Sequence, residues 1–251
     1  MSNKKITICA CSSRSFVKKY KVAQLATELQ KNGNDVTIIA DLCELVQKQS
    51  PKVENIAKTA IIACYSRAIQ SQMNWLNLQA DNIYDIRNKE VADILTEFNI
   101  SSDIEDQPID SDILNDVNHL ADNNGTDAWY PVLDKTRCTN CGKCHDFCLF
   151  GVYTIENKEV KVIHPENCKN NCPACARICP SSAIIFPKYE KSPINGGTEL
   201  EEVFSKDDME EAYQKRLEYR LKQNRSRFSL LKKDNSKSTT PINLGLDLKK
   251  E

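Results

Sequence analysis

Two hydrophobic rhythms alternate through the first hundred residues. KITICACS is a β-branched apolar run, and the segment after it, FVKKYKVAQLATELQKNG, places Val22, Leu25, Ala26 and Leu29 at helical spacing. Gly33 ends that helix as a glycine just past a C-cap does. DVTIIAD predicts a second short strand of the buried type and TAIIACYS a third. Between them, LCELVQKQSPKVENIAK reads as a polar connection, helical at first and broken before Pro51. RAIQSQMNWLNLQ is helical, NIYDIR follows, and NKEVADILTEF is helical again. Strands joined by helical crossovers imply a small parallel sheet with helices on its faces, hence an α/β N-terminal domain over residues 1–98.

Beyond it the pattern loosens. Residues 99–128 are acidic and polar, with a short helix expected around SDILNDVNHLA, and read as a linker. Residues 129–195 form a cysteine-rich unit, within which VYTIENKEVKVI predicts a β-hairpin turning at Glu156–Asn157–Lys158. Residues 196–251 carry one charged helix, KDDMEEAYQKRLEYRLKQ, and a Ser/Lys/Asn-rich tail too polar to build a core, for which disorder is expected.

The chain has 251 residues, 27% of them charged, and no apolar run long enough to cross a bilayer. The apolar stretch after the basic start MSNKK is too short for a signal peptide, so a cytoplasmic location is expected. In that reducing compartment twelve cysteines point to metal or redox chemistry rather than to disulfides. The net charge of −1 conceals a segregation: residues 81–134 hold fourteen acidic and two basic side chains, residues 215–237 nine basic and two acidic. Such polarity can steer a partner or latch two parts of one molecule; the plainer reading is a solvated acidic linker and a basic tail.

Eight cysteines fall in two runs, Cys138-x2-Cys141-x2-Cys144-x3-Cys148 and Cys168-x3-Cys172-x2-Cys175-x3-Cys179-Pro180. DKTRC and HPENC lead into them, FGVYTI and SSAIIF follow, and each unit is about thirty residues long, so the unit is an internal duplication. Zinc ribbons also use Cys-x2-Cys knuckles, but they separate two pairs by a dozen residues or more, whereas four cysteines crowd each half here. His145, inside the first run, reads as a solvent-facing filler.

These runs resemble the fingerprint of the bacterial two-cluster ferredoxins, in which the fourth cysteine of a run ligates the other cluster. The resemblance implies an α+β ferredoxin domain in which Cys138, Cys141, Cys144 and Cys179 hold one [4Fe–4S] cluster and Cys168, Cys172, Cys175 and Cys148 a second. It also implies single-electron transfer, with no acid–base machinery required. Two departures stand out. Leu149, not proline, follows Cys148, and the Cys168–Cys172 gap is three residues instead of two.

Four cysteines remain. Cys9 and Cys11 end the first predicted strand, Cys43 lies just beyond the second, and Cys64 ends the third. In a parallel sheet those ends share the edge where such folds bind ligands. Buried thiols that merely pack, or a redox-sensing Cys9/Cys11 pair, are the plainer alternatives. The segments CAC, LCE and ACYSR resemble, loosely and over about seventy residues, the N-terminal iron–sulfur domain of the large subunit of heterodisulfide reductase. That resemblance implies a third [4Fe–4S] site at Cys9, Cys11, Cys43 and Cys64. CSSRS also has the composition of a phosphate-binding turn, with Ser12, Ser13, Arg14 and a contribution from Arg67, although polar residues before a helix are ordinarily caps.

With seven glycines the chain contains no G-x-G-x-x-G and no G-x-x-x-x-G-K-[ST], which argues against a flavin, nicotinamide or nucleotide site of the usual kind. The basic tail offers only Tyr219 and Phe228 among its cations and no recognition motif, so nucleic acid is not an expected partner. The expectation is an iron–sulfur electron-transfer protein, a carrier or a subunit of an oxidoreductase, served by redox partner proteins. The competing expectation is an oxidoreductase component acting on substrate through the N-terminal cysteines.

Overall fold

The structure, a computed structural model, describes residues 4–100, 108–120 and 127–197, together with Gln214, Lys215 and Glu218. The charged helix expected at 206–223 lies outside the described residues except at those last three positions, and the tail beyond it lies outside them altogether.

Four parallel strands form the N-terminal sheet: β1 (Lys5–Cys9), β2 (Asp35–Ile39), β3 (Ala60–Ala63) and β4 (Ile83–Asp85), in the order β2-β1-β3-β4. The period-two alternation of a strand divides its side chains between two layers. Ile6, Ile8 and Ile62 face α1 (Lys19–Lys31) and α5 (Val91–Glu97). Cys9, Ile61 and Ala63 face α2 (Leu42–Gln47), α3 (Lys52–Ala57) and α4 (Ser66–Trp75). Gly33 closes α1 at φ +79°, its N–H bonded to the Gln30 carbonyl at 2.9 Å, as expected of a residue just past a C-cap.

One local expectation is corrected: β2 is an edge strand with Asp35 and Thr37 exposed, not a buried one, because β1 covers only one of its sides. The connection before β3 is helical at first and broken before Pro51, as expected, α2 ending at Gln47; the proline then heads a second helix, α3, where its missing N–H costs nothing. The acidic stretch read as a linker contains α6 (Ser111–His119), which packs on α1 and buries Val117 completely.

The cysteine-rich unit starts with β5 (Val132–Leu133) and α7 (Lys143–Phe147) and continues into the hairpin β6 (Tyr153–Glu156) and β7 (Glu159–Val162). Asn157 and Lys158 both take positive φ, the twist a two-residue hairpin turn requires. α8 (Ala174–Ile178) follows, and β8 (Ile184–Ile185) returns to pair antiparallel with β5. α7 and α8 pack together, one from each half of the duplication.

The two parts share one core. Tyr130, Val132 and Ile185 are buried among Cys43, Ile61, Ile69 and Met73. Polar contacts tie the same boundary: Arg67 Nε lies 2.7 Å from Asp134 Oδ2, Trp75 Nε1 donates to the Val162 carbonyl at 3.3 Å, and Arg87 Nη1 donates to the Pro187 carbonyl at 3.1 Å. Among the described residues no helix is long and apolar enough to cross a membrane.

Candidate iron–sulfur sites

Each half of the duplication contributes a short loop, a one-turn helix and a cysteine where that helix stops. Gly142, at φ +75°, turns the first loop into α7, and Cys148 follows as the C-cap. In the second half Pro173 heads α8 and Cys179 is its C-cap. Because α7 and α8 lie side by side, the cysteine at the end of each helix is carried away from its own loop.

The eight thiols accordingly gather in two mixed groups. Cys138, Cys141, Cys144 and Cys179 line one pocket, whose walls include Leu133, Val160 and Ile184. Cys148, Cys168, Cys172 and Cys175 line a second, which opens to solvent past Leu149, 92% exposed. Each group thus has three members from one half and one from the other.

The donor chemistry fits a polynuclear cluster. A single zinc ion needs its thiolates about 2.3 Å from one point. Among the described residues no three Cys, His, Asp or Glu side chains converge in that way; the thiols surround cavities instead. Burial, reinforced by neighbouring cysteines, pushes the Cys144 and Cys168 thiols up to about 12. Cys175 is also pushed to about 12 by burial, against the Tyr153 hydrogen bond, and Cys138 is raised by burial as well. Thiols so reluctant to ionise alone become ligands where a cationic centre displaces the proton.

The two groups are not equivalent. Tyr153 is buried, and its hydroxyl donates to Cys175 Sγ at 3.1 Å. Burial, then the nearby Cys175, holds the phenol far above its ordinary pKa, so it remains a donor. Counting five residues on from Cys148 and from Cys179 pairs Tyr153 with Ile184, so the first group has an aliphatic side chain at the matching place. In that first group Cys179 Sγ accepts from Ala183 N at 3.3 Å. His145 is exposed, with Nδ1 3.0 Å from Asp146 Oδ1.

The four remaining cysteines lie at one edge of the sheet. β1 and β3 are neighbours from which the chain departs to opposite sides of the sheet, and ligands settle at the carboxyl ends of such strands. Cys9 ends β1, Cys11 follows at φ +48°, Cys64 directly follows β3, and Cys43 stands in the first turn of α2. Cys11 lies within electrostatic reach of Cys9 and Cys64, and Cys43 within reach of Cys64 and Cys11. Burial pushes Cys9 to about 11 and Cys64 to about 12 and raises Cys11 and Cys43 well above the ordinary thiol value. Leu42 N donates to Cys9 Sγ at 3.3 Å and Gln72 Nε2 to Cys43 Sγ at 3.3 Å. In both contacts sulfur is the acceptor, the role a ligating thiolate plays. Cys168 packs against the same hydrophobic core as Cys9, Cys43 and Cys64.

Ser12, Ser13 and Arg14 do not form an anion-binding turn. α1 begins only at Lys19, and Ser13 Oγ donates to Asp41 Oδ2 at 2.6 Å while Arg14 pairs with Asp127. Arg67 is likewise engaged, by Asp134 and by the Ser182 carbonyl.

Sequence reasoning did not single out Lys188. Its side chain is 2% exposed, and Nζ meets Asp41 Oδ2, Asp127 Oδ1 at 2.8 Å and Ser13 Oγ at 2.7 Å. Burial alone would lower its pKa, but Cys43, Asp41 and the two carboxylate hydrogen bonds lift it above the ordinary lysine value. Asp41 had a local signal, since Asp41-x-x-Glu44 is a helix-capping pattern and its side chain accepts from Glu44 N. Lys188 and Asp127 had none.

No protein-family model and no solved structure matches the chain. Among curated sequences it is similar to an uncharacterized ferredoxin of Methanocaldococcus jannaschii, 51% identical over 67 residues, which are 26% of this chain and 45% of that relative. It is similar also to Ferredoxin-3 of a Nostoc species, 35% identical over 88 residues, 26% of this chain and 90% of that protein. A second uncharacterized M. jannaschii ferredoxin is 37% identical over 58 residues, 22% of this chain and 74% of that relative. The chain thus spans less than half of the first relative's length but most of the other two.

Proposed function

The chain belongs to the ferredoxin family over about a quarter of its length, and from that premise we propose that it relays single electrons through two [4Fe–4S] clusters. Cys138, Cys141, Cys144 and Cys179 hold the first; Cys148, Cys168, Cys172 and Cys175 hold the second. The observation that carries this reading is the pair of cavities, each ringed by three thiols of one half and one of the other. A cluster of this type takes up and gives back one electron, at a potential set by hydrogen bonds to sulfur, burial and solvent exposure.

The residues divide those influences unequally. Tyr153 donates to Cys175 in the second site, while Ala183 N and aliphatic walls surround the first. Cys144 lies within electrostatic reach of Cys175, so the two sites are neighbours through which an electron can step.

Cys9, Cys11, Cys43 and Cys64 form a third [4Fe–4S] centre in this proposal, a further station of the relay that shares a hydrophobic core with Cys168. Cys9 and Cys43 are 7% and 6% exposed, which favours an internal centre over thiols that attack a substrate directly. The chain then serves as a carrier or a redox-complex subunit, with protein partners as donor and acceptor. Anaerobic preparation followed by metal analysis and EPR tests this: about eight iron atoms per chain are expected for two clusters and about twelve for three. Zinc in place of iron overturns the proposal.

A further inference from the structure

Lys188 comes from the segment after β8, in the ferredoxin part, yet its ammonium lies in the N-terminal part. The backbone that delivers it is pinned one residue earlier, where the Pro187 carbonyl accepts from Arg87 Nη1 at 3.1 Å. Its three oxygen partners match the three N–H bonds of an ammonium, so the charge is fully solvated by protein. Two of those partners stand next to candidate ligands: Ser13 is two residues after Cys11, and Asp41 two before Cys43. Lys188 is within electrostatic reach of Cys9, Cys11 and Cys43, where it opposes the larger negative influence of Asp41.

Four thiolates around one centre concentrate negative charge in a buried place, and each electron taken up adds to it. A fixed cation alongside favours the reduced form, here by offsetting the Asp41 and Asp127 carboxylates that face the same place. A latch between the two parts could have been apolar; a lysine buried at this spot brings charge.

We propose that Lys188 is a positioning residue that supplies the compensating positive charge to the N-terminal four-cysteine centre, so that this centre is electrostatically complete only when the ferredoxin part is docked on it. The inference rests on the reading of Cys9, Cys11, Cys43 and Cys64 as a redox centre. It ties the properties of that centre to a side chain 124 residues beyond Cys64 in sequence.

The test is an EPR-monitored redox titration of the full-length, anaerobically prepared protein and of three variants. Lys188→Gln removes the cation, Lys188→Arg keeps it, and Asp127→Asn removes an anion that faces it. The N-terminal centre is expected to shift to a more negative potential in Lys188→Gln and to a more positive one in Asp127→Asn. Lys188→Arg should stay near the parent, and the two ferredoxin-type clusters should hold their potentials throughout. A latch without an electrostatic role would not produce shifts of opposite sign. If Lys188→Gln fails to fold, Asp127→Asn carries the test through its sign alone. Twelve irons per parent chain with no opposed shifts overturns the role of Lys188 and leaves the third centre standing; eight irons in the parent overturns both.

Discussion

Removing the hydroxyl of Tyr153 changes one hydrogen bond and leaves the packing in place. The ring is buried, and its O–H donates to Cys175 Sγ at 3.1 Å. A hydrogen bond to a charged acceptor is worth about 1.5–3 kcal/mol. For a one-electron couple a tenfold change in equilibrium constant, roughly 1.4 kcal/mol, corresponds to about 59 mV. If the whole bond acted only in the reduced state, its loss would shift the potential by roughly 65–130 mV, on those same two conversions. The bond exists in both states and strengthens as sulfur gains charge, so Tyr153→Phe is expected to lower the potential of the Cys148/168/172/175 cluster by some tens of mV, below that ceiling. The other cluster, with Ile184 at the matching place, is the internal control. EPR-monitored titration resolves the two. An unchanged or raised potential in the Tyr153 variant, or an equal shift in both clusters, refutes the reasoning.

Three further outcomes follow from the boundary between the two parts. Arg67→Ala strands the buried Asp134 carboxylate and frees the Ser182 carbonyl, and is expected to destabilise the chain by ~3 kcal/mol, the low end for a broken buried pair, in denaturant titration. Asp127 and Asp134 sit below the ordinary carboxylate pKa of 3.8: burial opposes this, but Lys188 and Arg14 in one case, and Thr136 and Arg67 in the other, outweigh it. Their contribution is complete above pH 3.8 and is lost as pH falls through their lower folded values, so tryptophan-monitored stability should fall below about pH 4, and less steeply in Asp127→Asn. Gly197→Ala would set a Cβ 2.6 Å from the Tyr65 ring and 2.9 Å from Ser192 Oγ; a loss of about 1–3 kcal/mol is expected from that overpacking in the same denaturant assay.

How much of this was legible in the sequence depended on the reach of each interaction. β1, β3, α1 and α4 announced themselves because their periodicity is local: the two strands are almost fully buried and the two helices bury one face each. β2 has the same β-branched composition as β1, and only its place at the sheet edge, a property of the whole fold, leaves it half exposed. α3 was hidden by Pro51, which ends one helix and begins another equally well. The eight clustered cysteines were readable because spacing within eleven or twelve residues encodes loop geometry. The convergence of Cys9, Cys11, Cys43 and Cys64 was inferable only through the strand ends. Lys188 and Asp41 are 147 residues apart and form their pair only after both parts have folded, so no local pattern marks it. Tyr153 lay between: only aligning the duplicated halves shows that it stands where the other half has Ile184.

The central claim, that each cluster borrows its last ligand from the opposite half, is tested most directly by EPR of four serine variants. Cys148→Ser and Cys175→Ser should abolish or alter the signal of one and the same cluster, and Cys179→Ser and Cys144→Ser that of the other. Were Cys148→Ser instead to disturb the cluster lost in Cys144→Ser, with Cys179→Ser pairing with Cys175→Ser, each run would hold its own cluster and the crossed assignment would be wrong.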